Sequence, residues 1–364
     1  MDSLNVIHLV SNRVWGGGER YVLDLCRALE ADGHSAAVIT RAFKDVDARF
    51  AEAGFKPGHL PLRGAIDPVS PWLLARILNR TASPVVVHVH NFKDAGTAVR
   101  ARRLMRDPSK VRVVVTRHLV KAASTRASDI DIYRSLDAIV FVSELARREF
   151  LSTAPDVDPA RLRVIHNAVT VPEALPVRAN PAPDSPLRLL YLGRIVPEKG
   201  LDILVDALAE LDRSDKAWTL EVAGEGPAKY VMPLMRRCSE LGFGDRVEWL
   251  GPVDDIWPVI ARADVGVLPT RAREAFGLSL LEFMHGGAAV VSTDNGAQPE
   301  IIDSGTDGIL VPPEPSALSD ALRRLAADRK LVCGLADAGR RKAADTFGYD
   351  RFYQQMLALY RGQS

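Results

Sequence analysis

The chain runs through one pattern twice, and that repetition constrains its fold more than any other feature. Short runs of β-branched and aliphatic residues alternate with longer stretches in which apolar residues recur every three or four positions. VIHLV at 6–10 is followed by a helical pattern through Tyr21, Leu25 and Leu29, then by AAVIT at 36–40, VVVHVH at 85–90, VRVVVT at 111–116 and AIVFVS at 138–143. Runs this apolar bury both faces, as parallel strands covered by crossover helices do. The stretch VPEALPVRANPAPDSP then carries five prolines in 16 residues and no apolar period. A second series follows, through LRLLYLG, WTLEVAG, RVEWLG, DVGVLPT, AAVVST and GILVPP, and the last 50 residues read as wholly helical.

The expected architecture is therefore α/β, with two tandem Rossmann-like, doubly wound domains. An N-terminal domain at 1–170 would be joined by a linker at 171–186 to a C-terminal domain at 187–345, with a terminal helix at 346–364. With 364 residues and 47% hydrophobic content, the chain can build two cores. Open parallel sheets bind ligands at the carboxyl ends of their strands, so two of them in tandem imply a central cleft, and the residues that follow strands are the ones to inspect.

Composition narrows the class. Cys26, Cys238 and Cys333 are odd in number and far apart, which fits a reducing compartment better than a disulfide framework or a zinc site. The start MDSLNVIHLVSNR has neither a basic leader nor a cleavage site, and no apolar run approaches the roughly 20 residues of a membrane span. A cytoplasmic protein is expected, at most peripheral to the inner face of a membrane. The formal net charge of +1 hides an asymmetry: residues 1–170 carry 25 Lys/Arg against 18 Asp/Glu, the remainder 22 against 28. Between Arg100 and Arg126 nine basic residues face only Asp107, which suits a phosphorylated or lipid-linked acceptor and contact with an anionic membrane. Aromatic interleaving is absent there, so no nucleic-acid partner is expected.

Three turns in the second half carry candidate chemistry. The strand LLYLG ends at Gly193 and leads through Arg194 and Lys199 into a helical pattern at Leu201. Two cations beside the positive end of a helix suit a diphosphate. VAGEGP at 222–227 leaves the next strand through Gly224, whose lack of a side chain allows close approach of backbone to a ligand. EAFGLSLLE, from Glu274 to Glu282, follows DVGVLPT, and the N–H groups near Gly277, Leu278 and Ser279 would open a helix towards whatever lies above it. If both glutamates were helical they would stand about 12 Å apart along the axis. That exceeds the roughly 5–9.5 Å of a glycosidase pair, and hydroxyl recognition at the two ends of a nucleotide sugar fits the spacing better. In the first half, Gly16, Gly17 and Gly18 precede Glu19 at a helix start, an anion-friendly turn. The strand ends VHVHN and VVVTRH bring His90, Asn91, Arg117 and His118 to the same end of their sheet, and of His88 and His90 one is expected to point inward.

GRIVPEKG, VAGEGP and EAFGLSLLE, in this order, resemble the donor domain of the GT-B glycosyltransferases of family 4, a retaining group with many bacterial cell-surface polysaccharide, lipopolysaccharide and glycolipid enzymes. The resemblance covers essentially the whole chain. It implies that Arg194 and Lys199 bind the donor diphosphate, that Glu274 contacts the transferred sugar and Glu282 the ribose, and that Phe276 to Ser279 supply backbone donors. It implies that Val253 lies near the nucleobase, that the glycine turn with Gly16 and Glu19 lies near donor phosphates and acceptor, that His90, Asn91 and Arg117 at the strand ends VHVHN and VVVTRH lie on the acceptor side, and that His118 faces the reacting sugar. The terminal helix would return to the N-terminal domain. The activity implied is a retaining hexosyl transfer from a UDP- or GDP-sugar to an acceptor hydroxyl, metal-independent because no Asp-x-Asp motif stands where a divalent ion would be needed, and with no cofactor beyond the co-substrate. A silent nucleotide-sugar sensor or scaffold is the alternative. A Rossmann oxidoreductase fits less well, since neither half shows GxGxxG after its first strand.

Overall fold

The computed structural model describes residues 3–64, 67–82, 84–176, 178, 185–212 and 218–363. The chain divides into two compact units, one joining residues up to Asn167 with those from Asp350 onward, the other running from Ala168 to Tyr349. Of the expected linker at 171–186, residues 177 and 179–184 lie outside the described residues.

The first unit contains β1 (Asn5–Val10), α1 (Gly17–Ala31), β2 (Ser35–Thr40), α2 (Lys44–Glu52), β3 (Gly58–His59), α3 (Val69–Leu78), β4 (Val85–Val89), α4 (Phe92–Arg103), β5 (Val111–Arg117), α5 (Ala127–Arg134), β6 (Ala138–Phe141), α6 (Glu144–Leu151) and β7 (Leu162–Val164). Its seven strands lie in the order β3-β2-β1-β4-β5-β6-β7, and their pairings are parallel. The strand order reverses between β1 and β4, where Ile7 is opposite Val87 and His8 opposite His88. All five residues of β4 are buried, as a central strand with helices on both faces requires. The helices that follow β4 and β6 start where a side chain accepts a backbone N–H: Asn91 from Lys93 and Ser143 from Ala146.

The second unit repeats the plan with β8 (Leu187–Leu192), α7 (Leu201–Leu211), β9 (Trp218–Ala223), α8 (Ala228–Glu240), β10 (Val247–Gly251), α9 (Trp257–Arg262), β11 (Val265–Leu268), α10 (Leu278–His285), β12 (Ala289–Thr293), β13 (Ile309–Val311), α11 (Pro315–Ala327) and α12 (Arg329–Phe347). Its sheet runs β10-β9-β8-β11-β12-β13, reversing between β8 and β11. Leu189, Tyr191, Leu204, Leu208, Trp218, Val267 and Val291 lie in its core.

The helical C-terminus consists of three helices. Asp328 accepts the Leu331 N–H and starts α12, while Gly348, extended at φ −61° and ψ 142°, ends it. The expected boundary at 346 therefore falls inside α12, and α13 (Tyr349–Tyr360) begins after the break. From Asp350 onward this helix belongs to the first unit, where Phe352 meets the Tyr21 ring edge-on, Tyr21 Oη reaches Met356 Sδ at 3.7 Å and Tyr353 donates to Asp32.

Candidate functional site

In the second unit the turns after β8, β9, β10 and β11 interlock through their backbones. The Gly193 N–H donates to the Ala223 carbonyl, the Ile195 N–H to Glu225 at 2.7 Å and the Gly224 N–H to Gly251 at 2.8 Å. Gly224, at φ +140°, leaves no room for a side chain: a Cβ there would lie 1.9 Å from the Gly193 carbonyl oxygen. The close approach that this glycine permits is thus between two turns of the protein itself. Gly200, at φ +67°, caps α7 in the left-handed region and packs against the Pro269 carbonyl in the same way.

Lys199 sits on the single turn Pro197–Lys199 between β8 and α7, and that turn is bound to the loop after β11. The Glu198 carbonyl accepts from Thr270 Oγ1 and from the Arg271 and Ala272 N–H groups, all near 3.0 Å. Two residues further along, Glu274 accepts from Lys199 Nζ at 2.6 Å, with both side chains partly buried. Arg194 is exposed at the start of the same turn, its carbonyl held by Tyr191 Oη at 2.7 Å. Burial raises the Tyr191 phenol above its ordinary pKa, so it remains a donor.

α10 starts at Leu278 with Gly277 as a left-handed cap at φ +106°, a residue with no side chain to accept from the first turn. The first N–H groups of α10, at Leu278 and Ser279, therefore carry the positive end of the helix next to Glu274. Phe276 is buried against Phe347, with ring centroids 6.0 Å apart, so only its backbone can face a ligand. Glu282 lies within α10 and is 8% exposed, and Val253 follows β10 in a half-buried loop.

Sequence reasoning passed over the turn after β12. Asn295 Nδ2 donates to the Arg271 carbonyl at 2.7 Å and lies 3.2 Å from that of Ala272, while the Ala297 N–H donates to the Glu274 carbonyl at 2.9 Å. A Cβ on Gly296 would come within 2.5 Å of the Glu274 nitrogen. This turn holds Glu274 from behind, and the Asn-Gly pair one residue past a strand was its available signal.

In the first unit, Gly16 precedes α1 in extended conformation, while Gly17 and Gly18 already lie in its first turn. Glu19 is buried and accepts from Asn12 Nδ2. Asn91 reaches Asn12, and Ser11 donates to Asp94, whose carboxyl burial pushes up to about 6. Ser11, Asn12 and Asp94 were not singled out from the sequence.

His88 in β4 and His90 just past its end are both buried, and their rings lie 4.1 Å apart, as residues two apart in an extended chain share a face. The expectation that only one points inward is corrected by that geometry. His8 Nδ1 lies 3.0 Å from His90 Nε2, and His90 Nδ1 lies 3.5 Å from His118 Nε2. His88 contacts Tyr360 Oη through Nδ1 and Thr116 Oγ1 through Nε2, both at 2.7 Å. Burial lowers His8 to about 3 and His118 to about 4; His88 and His90 also fall well below 6.5, through burial first and then their neighbouring imidazoles. Nitrogens of His8, His88 and His90 approach within 4.8 Å of one another. Both nitrogens of His88 are already engaged, so the cluster is held by hydrogen bonds among its own members and neighbours.

Arg117 points the other way from His118. Its guanidinium lies over the Phe150 ring at 4.9 Å and donates to the Lys121 carbonyl. The basic stretch is also partly neutralised by residues later in the chain: Arg102 pairs with Asp137, and Arg103 with Asp131. No helix among the described residues is long and apolar enough to cross a membrane.

Two parallel, doubly wound units of these strand orders define the GT-B class of fold. The match to HepE of Anabaena, solved in complex with UDP and glucose, has a TM-score of 0.80 at 18% identity, covering 97% of this chain and 98% of that one. Residues 15–171 match the family described as glycosyltransferase family 4, and residues 186–328 that of the glycosyl transferases group 1. The chain belongs to the family 4, group 1 glycosyltransferases. Among its relatives are an exopolysaccharide phosphotransferase of Streptomyces coelicolor, 33% identical over 228 residues, and an alpha-D-kanosaminyltransferase of Streptomyces kanamyceticus, 29% identical over 301 residues. These matches cover 62% and 80% of this chain, and the chain spans 23% of the length of the first protein and 73% of the second.

Proposed function

We propose that this protein is a retaining glycosyltransferase that moves a hexosyl group from a UDP- or GDP-sugar to an acceptor hydroxyl, in the synthesis of a bacterial surface polysaccharide, lipopolysaccharide or glycolipid. The observation that carries the proposal is the contact of Lys199 with Glu274 beside the uncapped start of α10. A cation, a carboxylate and oriented N–H groups are thereby gathered at the carboxyl ends of β8 and β11, the place where open α/β sheets hold nucleotides.

In this reading Lys199 and the exposed Arg194 take the donor diphosphate, joined by the N–H groups at Gly277, Leu278 and Ser279. The bond between the anomeric carbon and the phosphate oxygen breaks, and its electron pair goes to that oxygen. These fixed cations and dipoles stabilise the charge as it grows. Glu274 accepts from hydroxyls of the transferred sugar and Glu282 from the ribose, while Val253 borders the base. The acceptor oxygen bonds to the anomeric carbon from the face the diphosphate leaves, and its proton passes to the departing phosphate oxygen. His118, Gly16, Glu19 and Asn91 serve the acceptor side, and His90, whose two ring nitrogens face His8 and His118, supports His118 from behind. Arg117 is assigned no contact with the acceptor, because its guanidinium is committed to Phe150 and Lys121. The transfer needs no divalent ion in this scheme. The acceptor is a saccharide, or a lipid-linked or phosphorylated one reached at an anionic membrane surface.

The test is acceptor-dependent release of nucleoside diphosphate from a panel of UDP- and GDP-sugars, with product anomers assigned by NMR. Retention with one donor supports the reading. Tight donor binding without release would make the protein a sensor, and an inverted product would remove the mechanism.

A further inference from the structure

The transfer scheme leaves His8 without a role, although it is fully buried on β1, opposite His88 of β4 and in reach of His90 just past the end of that strand. The rings of His8 and His90 lie 5.2 Å apart with an interplanar angle of 22°, and those of His90 and His118 lie 5.7 Å apart at 25°. Tyr21 closes the row with its ring edge-on to His90 and His118. His8 Nδ1 faces His90 Nε2, and His90 Nδ1 faces His118 Nε2. His8 Nε2 meets no hydrogen-bond partner among the described residues.

A neutral imidazole carries one N–H and one bare nitrogen. Each contact in the row needs one of each, so the three rings must all point their N–H groups in the same sense. Only two arrangements exist. In one, every ring is protonated at Nε2, and His8 buries an N–H that has no acceptor. In the other, every ring is protonated at Nδ1, and His8 buries only a lone pair. Orphaned buried N–H groups are rare in folded proteins, which favours the second arrangement.

We propose that His8 and His90 are positioning residues that fix His118 as the Nδ1–H tautomer, so that His118 offers a hydrogen bond to a sugar oxygen and does not act as a base. The inference rests on the proposed function only in placing a sugar beside His118. The tautomer itself follows from the row of rings.

Histidine-labelled wild-type protein, examined by nitrogen–proton correlation NMR across the imidazole rings, tests it directly. All three rings are expected to show the Nδ1–H pattern. An Nε2–H or mixed pattern at His118 overturns the proposal, whatever the enzyme's activity. His8→Leu ends the row at His90, whose bare Nε2 then takes the buried end, so His118 is expected to keep the Nδ1–H pattern and this variant is the packing control. His8→Asp puts an acceptor where the end donor was; it is expected to turn His118 to the Nε2–H pattern and to lower kcat about tenfold relative to His8→Leu, with the donor KM unchanged. The same His118 tautomer and the same kcat in the two variants would reduce His8 to a packing role. Absence of turnover in the wild type with every donor would overturn the transferase reading and leave the NMR result standing.

Discussion

Lys199 Nζ donates to Glu274 Oε2 at 2.6 Å although 75 positions separate them in the chain. The contact is made by the Glu198 carbonyl, which draws Thr270, Arg271 and Ala272 onto the turn that carries Lys199. Without a donor the two charges satisfy each other, and a diphosphate must compete with Glu274 for the ammonium. Glu274→Gln is therefore expected to bind nucleoside diphosphate a few-fold more tightly while losing about 10²-fold or more in transfer. Lys199→Ala should weaken the same binding about tenfold. Calorimetry with the diphosphate alone checks both, and weaker binding by the glutamine variant would refute the competition.

The interlocked turns make glycine substitutions unequal. Gly224→Ala puts a Cβ 1.9 Å from the Gly193 carbonyl at φ +140°, so the turn must open. A cost of about 2–4 kcal/mol is expected from overpacking together with backbone strain. At Gly33, where φ is +77°, an added Cβ would meet nothing within 4 Å, and Gly33→Ala should cost only the left-handed backbone term of about 1 kcal/mol. Urea titrations of the two variants should separate them clearly.

The histidine row makes stability fall with acid. Histidines held neutral by burial do not take the proton that the unfolded chain takes below its pKa of 6.5, so the unfolded state binds more protons and stability drops as pH falls. The window opens at 6.5 and extends towards the folded values, about 4 for His118 and about 3 for His8. Each such group contributes about 1.4 kcal/mol per pH unit within it. Asp94 works in the opposite sense, since its raised value of about 6 makes the folded state bind the proton first, but it is one group against four. The urea midpoint is expected to be level above pH 7 and to fall steeply from 6.5 downward, with a shallower fall in His8→Leu. A midpoint unchanged between pH 7 and 5 would contradict this.

Asp264 is fully buried at the entry to β11, where it accepts from the Arg188 backbone at 2.9 Å and from its guanidinium at 2.7 Å. Arg178 and Arg329 stand at 3.8 and 3.7 Å from the same carboxylate. Several N–H groups of those two arginines meet no acceptor among the described residues. Asp264→Asn would leave the guanidinium groups without their countercharge, and a loss of about 3–5 kcal/mol is expected. Thermal unfolding should show it with the far-UV spectrum of the folded state unchanged.

The sequence by itself determined whatever depends on neighbours along the chain. The unbroken apolar runs of VVVHV and VRVVV announce buried parallel strands, the amphipathic periods announce crossover helices, and residues that follow strands are brought to one end of a sheet by topology alone. That Arg194, Lys199, Gly277 and Glu274 stand between a strand and the following helix was legible on those terms. What only the tertiary structure decided are relations between segments distant in sequence. Gly224 makes room for another turn of the protein, His8 completes a row with His90 and His118, Asn295 holds the loop of Glu274, and Asp137 and Asp131 answer charges that read as an unopposed basic run. Local periodicity fixes which face of an element is apolar. It does not fix which atom of a remote residue fills the space left by a missing Cβ or an open hydrogen bond, because that is set by packing between elements.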